Sequence, residues 1–155
     1  MKRIIGIDPG LVHTGWGIIE TAGNNRKYIA SGVIDAPVKD SLPDRLHFIF
    51  SELEKVIAEF SPTVMAIEIT FVNKNPQTSL LLGHARAAAI LPFAARDIPV
   101  FEYEANKIKR AISATGHADK DQVARMIKIL LPTAAPKKPD EADALAVALA
   151  HSNLI

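Results

Sequence analysis

Near its N-terminus the chain reads Arg3-Ile4-Ile5-Gly6-Ile7-Asp8-Pro9-Gly10, a short apolar run that ends in a carboxylate and a turn. A continuous apolar run bounded by turn residues marks a strand buried on both faces. Thr14–Glu20 is rich in β-branched and aromatic residues, Gly23-Asn24-Asn25 closes it as a hairpin, and Tyr28–Ile34 is the return strand. The period then changes. Pro43–Phe60 carries Leu46, Ile49, Phe50, Leu53, Val56, Ile57 and Phe60 on one helical stripe, and Val64–Ile69 is a second buried strand with Glu68 near its end. Beyond it the pattern predicts a helix from Gln77 to about Ala95, a strand over Pro99–Tyr103 and a short basic helix over Asn106–Ser113. A further helix over Asp119–Leu131 opens with Asp119 and Gln122 as a capping box. Pro139 starts the last helix, Asp140 to about His151, whose small residues allow close packing on a sheet. Hairpin strands first and strand–helix alternation afterwards imply a mixed sheet flanked by helices, with the first strand central.

The helix from Gln77 is apolar almost all round, whereas a surface helix keeps one polar face. Either both its faces are covered or one meets a second subunit. Leu82 and Ala89 are the candidate positions for a partner-facing side, and Pro92 should kink or end the helix.

One hundred and fifty-five residues, 48% apolar and 23% charged, fit a single domain spanning 1–155. The absence of cysteine excludes a disulfide framework, a thiolate metal site and a thiol nucleophile. No apolar run reaches the ~18 residues of a membrane span, and no signal-like segment precedes the first strand, so a cytoplasmic protein is expected. The net charge of +1 selects no partner, but its distribution is uneven. Residues 104–155 hold 8 Lys and Arg against 6 acids, and three of those acids lie in the cluster Asp140, Glu141 and Asp143. That basic stretch reads either as a solvated helical face or as a polyanion-binding surface.

Four carboxylates carry the chemistry. Asp8 and Glu68 each stand at the C-terminal end of a buried strand, the edge where ligands bind in open α/β sheets. Asp140 and Asp143, at i and i+3, project from one helix face, while Glu141 is turned roughly 100° away. Helix-dipole stabilisation alone accounts for first-turn acids, and Asp-Pro-Gly is an ordinary turn. The conjunction of strand-end acids with an acid pair on a helix of small residues calls for a cation, because carboxylates held at core strand ends are costly unpaired. Hard oxygen donors suit Mg²⁺ or Mn²⁺, and pairs of such ions serve phosphodiester hydrolysis. The five histidines show no metal-ligand spacing and read as structural or surface residues.

Gly6-Ile7-Asp8-Pro9-Gly10, Thr14-Gly15-x-Gly17, Ala66-Ile67-Glu68, Lys74-Asn75, Gly83-x-Ala85-Arg86 and Asp140-Glu141-Ala142-Asp143-Ala144-Leu145-Ala146 together resemble the RuvC family of Holliday-junction resolvases. The motifs keep family order from residue 4 to about 151. The resemblance implies an α/β ribonuclease H-like fold, a mixed five-stranded sheet with helices on both faces. It also implies a homodimer, Mg²⁺-dependent cleavage of four-way junction DNA with two ions per site, and collaboration with the RuvA–RuvB branch-migration complex. The family's catalytic acids fall on Asp8, Glu68, Asp140 and Asp143, its junction-stacking phenylalanine on Phe71, and two DNA-contacting lysines on Lys109 and Lys120. Ile69, where the family usually has a polar residue, and Pro92 in the interface helix depart from the pattern.

On the residues alone, Phe71 is either a core plug or a platform on which a base stacks. Lys120, at the first helical position, opposes the macrodipole unless a phosphate docks there. Three rivals remain: an inactive junction-binding protein, another ribonuclease H-like nuclease, and an actin-like ATPase. The last needs two such domains, for which 155 residues leave no room.

Overall fold

A computed structural model describes residues 1–69, 75–113 and 119–155. Strands β1 (Lys2–Asp8), β2 (His13–Ala22), β3 (Asn25–Asp35), β4 (Val64–Ile69) and β5 (Val100–Glu104) form one sheet in the order β3-β2-β1-β4-β5. Thus β1 is central, as its uninterrupted apolar run requires. The hairpin side is antiparallel and the β1–β4–β5 side parallel, which makes the sheet mixed. Helices are α1 (Leu42–Phe60), α2 (Pro76–Ala94), α3 (Ala105–Ser113), α4 (Lys120–Leu130) and α5 (Pro139–Leu154).

The two-residue period of a strand sorts side chains to opposite faces. Ile5, Ile7, Ile18, Met65 and Ile67 pack under α1 and α2, whereas Ile4, Ile19, Val64 and Ala66 pack under α3, α4 and α5. Burying each of these large aliphatic side chains contributes about 1.5–3 kcal/mol, so both helix layers are held by the same strands. Local chemistry sets the helix ends. Ser41 caps α1, Asn75 accepts from the N–H groups of Gln77 and Thr78 at the start of α2, and Asp119 caps α4. The Asp119–Gln122 capping box expected from the sequence is present, with reciprocal hydrogen bonds of 2.8 and 3.1 Å.

Two readings of α2 are resolved. Pro92 lies inside the helix and is buried, but α2 stops only two residues later, at Ala94. Ala89 is fully buried in the core with Ala85 and Phe93, so it is not on an outer face. The outward side carries Leu80, Ala87 and Leu91 instead, with Leu80 62% and Leu91 55% exposed. A helix apolar on every side has no polar stripe to tell its inner face from its outer one. Among the described residues no helix is long and apolar enough to cross a membrane.

Candidate active site

Asp8 ends β1, and its register partner across the hairpin is Gly15. On the other side Ile7 pairs with Ile67, so the next step along the parallel strands sets Asp8 beside Glu68. Both carboxylates share the sheet face that carries Gly6 and Ala66, the face under α5.

Glycines decide how closely α5 can approach. A Cβ on Gly6 would stand 2.1 Å from the Ala144 carbonyl oxygen, and one on Gly15 would stand 2.2 Å from that of Asp140. On Gly17 it would meet the Leu145 side chain at 2.7 Å. Helix backbone therefore lies directly on strand backbone, with Ala144 and Ala148 as its contact residues. This seam sets the first turns of α5, with Asp140 and Asp143, against the strand end that bears Asp8.

The electrostatics record the convergence. Burial, and after it the charges of Asp143, Asp140 and Glu68, push the Asp8 carboxyl up to about 7. Burial and Asp143 raise Glu68, and burial raises Asp143, with Asp140 adding to the effect. The lysines oppose this: Lys120 lowers Asp8 and Asp143, and Lys109 lowers Glu68. Two cations do not neutralise four converging acids, and the surplus negative charge is an oxygen-donor set of the kind a divalent cation takes. Among the described residues no three of these groups close into a ready-made ligand cage.

Lys109 from α3 and Lys120 from α4 line one cleft of about 380 Å³ together with Glu68 and Asp143. The structure thus brings six sequence-predicted residues to one sheet edge: Asp8, Glu68, Asp140, Asp143, Lys109 and Lys120. Phe71 lies outside the described residues. Asp119, read from sequence only as a cap, also lines the cleft.

Glu141 does face away from the cluster, but it is no solvated first-turn acid. Only 7% exposed, it accepts from the Lys137 and Lys138 N–H groups at 3.2 and 3.0 Å and from the Ser31 hydroxyl at 2.7 Å. It caps α5 and ties it to β3. A second tie, missed from sequence, is Asp35 on β3, which takes His13 Nδ1 at 2.5 Å and Lys138 Nζ at 3.5 Å. Thr14, fully buried, locks the turn behind Asp8 by donating to the Gly10 carbonyl at 2.6 Å. The histidine expectation holds for His151, which is buried in the core with Nδ1 2.6 Å from the Tyr103 hydroxyl.

Residues 4–151 match the family model of the crossover junction endodeoxyribonuclease RuvC. The RuvC of Beijerinckia indica is 49% identical over 152 residues, covering 98% of this chain and 87% of the relative. Thermus thermophilus RuvC, solved in complex with Holliday junction substrate, superposes with a TM-score of 0.91 at 28% identity, covering 98% of this chain and 93% of that one. The yeast mitochondrial Holliday junction resolvase shares the fold, with a TM-score of 0.69 at 14% identity over 98% of this chain and 78% of its own. These likenesses agree with the ribonuclease H-like α/β architecture, and the matched span takes in both strand-end acids and the acid pair of α5. The chain belongs to the RuvC family of crossover junction endodeoxyribonucleases.

Proposed function

We propose that this chain resolves Holliday junctions by paired, symmetric nicks, in homologous recombination and DNA repair. The observation that carries the reading is the convergence of Asp8, Glu68, Asp140 and Asp143 at one sheet edge beside Lys109 and Lys120.

Asp8 and Glu68 on strands and Asp140 and Asp143 on α5 would hold Mg²⁺ or Mn²⁺, two ions per site. When bound, such ions supply an activated water and offset charge at the scissile phosphate and leaving oxygen. The chain's own part is positional. Strand backbone fixes two carboxylates, the glycine seam fixes the other two, and Lys109 and Lys120 hold the DNA backbone over them. At the first position of α4, Lys120 sits where free N–H groups also favour a phosphate. Phe71 is assigned the junction-stacking role by the family resemblance. So is collaboration with the RuvA–RuvB complex, and the cytoplasm is the compartment in which this machinery would act.

The test is cleavage of four-way junctions, plain duplex and RNA–DNA hybrids, with and without Mg²⁺. Paired nicks in the junction alone, dependent on the cation, are expected. Junction binding without nicking would return the inactive binding protein, and preference for the hybrid would return a different ribonuclease H-like nuclease.

A two-fold dimer would present two such sites to a two-fold substrate. The surface that supports this is the outer side of α2, where Ala87 and Leu91 form a groove with Leu46 and Phe50 of α1. Leu91→Glu should yield monomers in sedimentation, because two-fold symmetry places the buried charge in the interface twice. An uncompensated buried charge costs roughly 3 kcal/mol or more, over a hundredfold in dimer affinity. A variant that stays dimeric would place the contact elsewhere, and a monomeric parent would overturn the dimer itself.

A further inference from the structure

We propose that a pocket at the end of the sheet opposite the four acids binds a small organic carboxylate with a short apolar body, held by Lys2 and His151. The pocket is independent of the nuclease site, since the length of β1 separates Lys2 from Asp8 by ~20 Å.

The pocket, about 310 Å³, opens beside the starts of β1, β4 and β5 and the last turn of α5. His151 is buried in its wall. Only 1% exposed, the ring is held at Nδ1 by the Tyr103 hydroxyl, 2.6 Å away, and lies against the Phe101 ring with centroids 4.7 Å apart. Burial, and after it the Lys2 charge, hold the imidazole below its usual value, so at neutral pH it carries one proton. Burial raises the Tyr103 phenol, which keeps its own proton. That hydroxyl has no other partner among the described residues, so it donates to Nδ1, because the reverse arrangement leaves a buried O–H unpaired. The imidazole proton is then on Nε2. Among the described residues Nε2 has no hydrogen-bond partner, yet it is not one of the polar atoms sealed from solvent. It is an N–H donor aimed into the pocket that the ring lines.

Lys2 shares the sheet face of Ile4, under α5, and its charge reaches the His151 ring. Its ammonium has no carboxylate partner among the described residues. No acidic side chain lines the pocket, and the Thr63 hydroxyl is already engaged by the Arg3 backbone. Two donors with no free acceptor beside them select an anion. A carboxylate matches them with two oxygens and a single charge, whereas a phosphate dianion brings more charge and more acceptors than the pair can satisfy. Val64, Pro99 and Phe101 add apolar wall for a body of a few carbons, and the volume lies at the small end of the ~300–1,000 Å³ range of small-molecule sites.

The test follows the His151 ring by nitrogen-15 NMR of the full chain as sodium hexanoate is added. Saturable binding is expected, with a Kd of about 1 mM for an acid of that size, and the Nε2–H resonance should shift as it gains an acceptor. Hexanamide, of the same shape without the charge, should bind at least ~10-fold more weakly. Lys2→Gln should weaken hexanoate by a similar factor and Lys2→Arg should retain it. Because Lys2 is exposed, both variants should melt like the parent without hexanoate. Hexanoate should then raise the melting temperature of the parent more than that of Lys2→Gln. A short apolar peptide with a free C-terminus is the second arm: tighter binding than hexanoate assigns the carboxylate to a chain end, weaker binding to a free acid, and either keeps the site. A His151 signal that does not saturate by about 20 mM hexanoate, equal binding of hexanamide, or parental affinity in Lys2→Gln would overturn the proposal.

Discussion

Asp8→Asn, Glu68→Gln and Asp143→Asn should each lower junction cleavage by more than ~100-fold while junction binding stays within a few-fold. Losing an outer partner of a metal ligand already costs ~10–100-fold, so losing the ligand itself costs more. Folding should not suffer. Each raised carboxyl records strain in the cation-free protein, from burial and, at Asp8 above all, from its neighbours' charge, and the neutral isostere removes it. Melting without metal should therefore match or exceed the parent, and the rise on adding Mg²⁺ should vanish. The sign with pH follows from linkage. Folded Asp8 keeps its proton up to about 7, while the unfolded chain loses it near 3.8. Stability without metal should thus fall as pH rises between those values, by up to ~4 kcal/mol, and Asp8→Asn should flatten that fall. Glu141→Gln is the control. It should cleave normally but melt lower by the equivalent of ~1 kcal/mol, since it weakens hydrogen bonds to backbone N–H groups. Unfolding of all three acid variants, or full activity in them, would sink the metal-site reading.

The second large effect concerns a residue with no side chain. Gly6→Ala adds one methyl where the Ala144 carbonyl oxygen would be 2.1 Å away, and the neighbour is helix backbone that cannot swing aside. Overpacking a core costs typically 1–3 kcal/mol and occasionally more, and relief here requires lifting α5 from the sheet. Thermal melting should drop by the equivalent of ~3 kcal/mol or more. Protein that remains folded should still lose cleavage, because the lift carries Asp140 and Asp143 away from Asp8. Gly23→Ala makes a useful contrast: among the described residues nothing lies within 4 Å of the Cβ it would add, although its φ of +59° carries a left-handed strain. It should lose stability by ~1 kcal/mol and keep cleavage. Equal cleavage losses in the two variants would deny the seam its positioning role.

Much of this was legible in the sequence, for identifiable reasons. Buried strands announce themselves by apolar runs, so β1 and β4 and their terminal acids could be placed, and i, i+3 spacing put Asp140 and Asp143 on one face. The capping box of α4 was local chemistry and therefore readable. Strand ends drifted by one to three residues, as with β3, which begins at Asn25 rather than Tyr28. The outward face of α2 was hidden because all its faces are apolar, and Ala89 fell on the wrong side. Glu141 was correctly turned away from the acid pair, but its burial depends on Ser31, 110 residues distant. The same holds for Asp35, whose partners His13 and Lys138 come from two other parts of the chain.

The elevated Asp8 carboxyl has a further consequence for how the site fills. Burial and its acidic neighbours keep a proton on Asp8 to far higher pH than on an exposed carboxylate. Where Asp8 is protonated, a cation enters by displacing that proton, so loading in acid is an exchange of ions rather than simple addition. Apparent cation affinity should climb about tenfold per pH unit below 7 and level off above it. Calorimetry in buffers of different ionisation heat would count the released protons directly. Below 7 a fall in pH of one unit would then act as up to a tenfold dilution of the metal, and nuclease output would follow acidity with no regulatory partner involved.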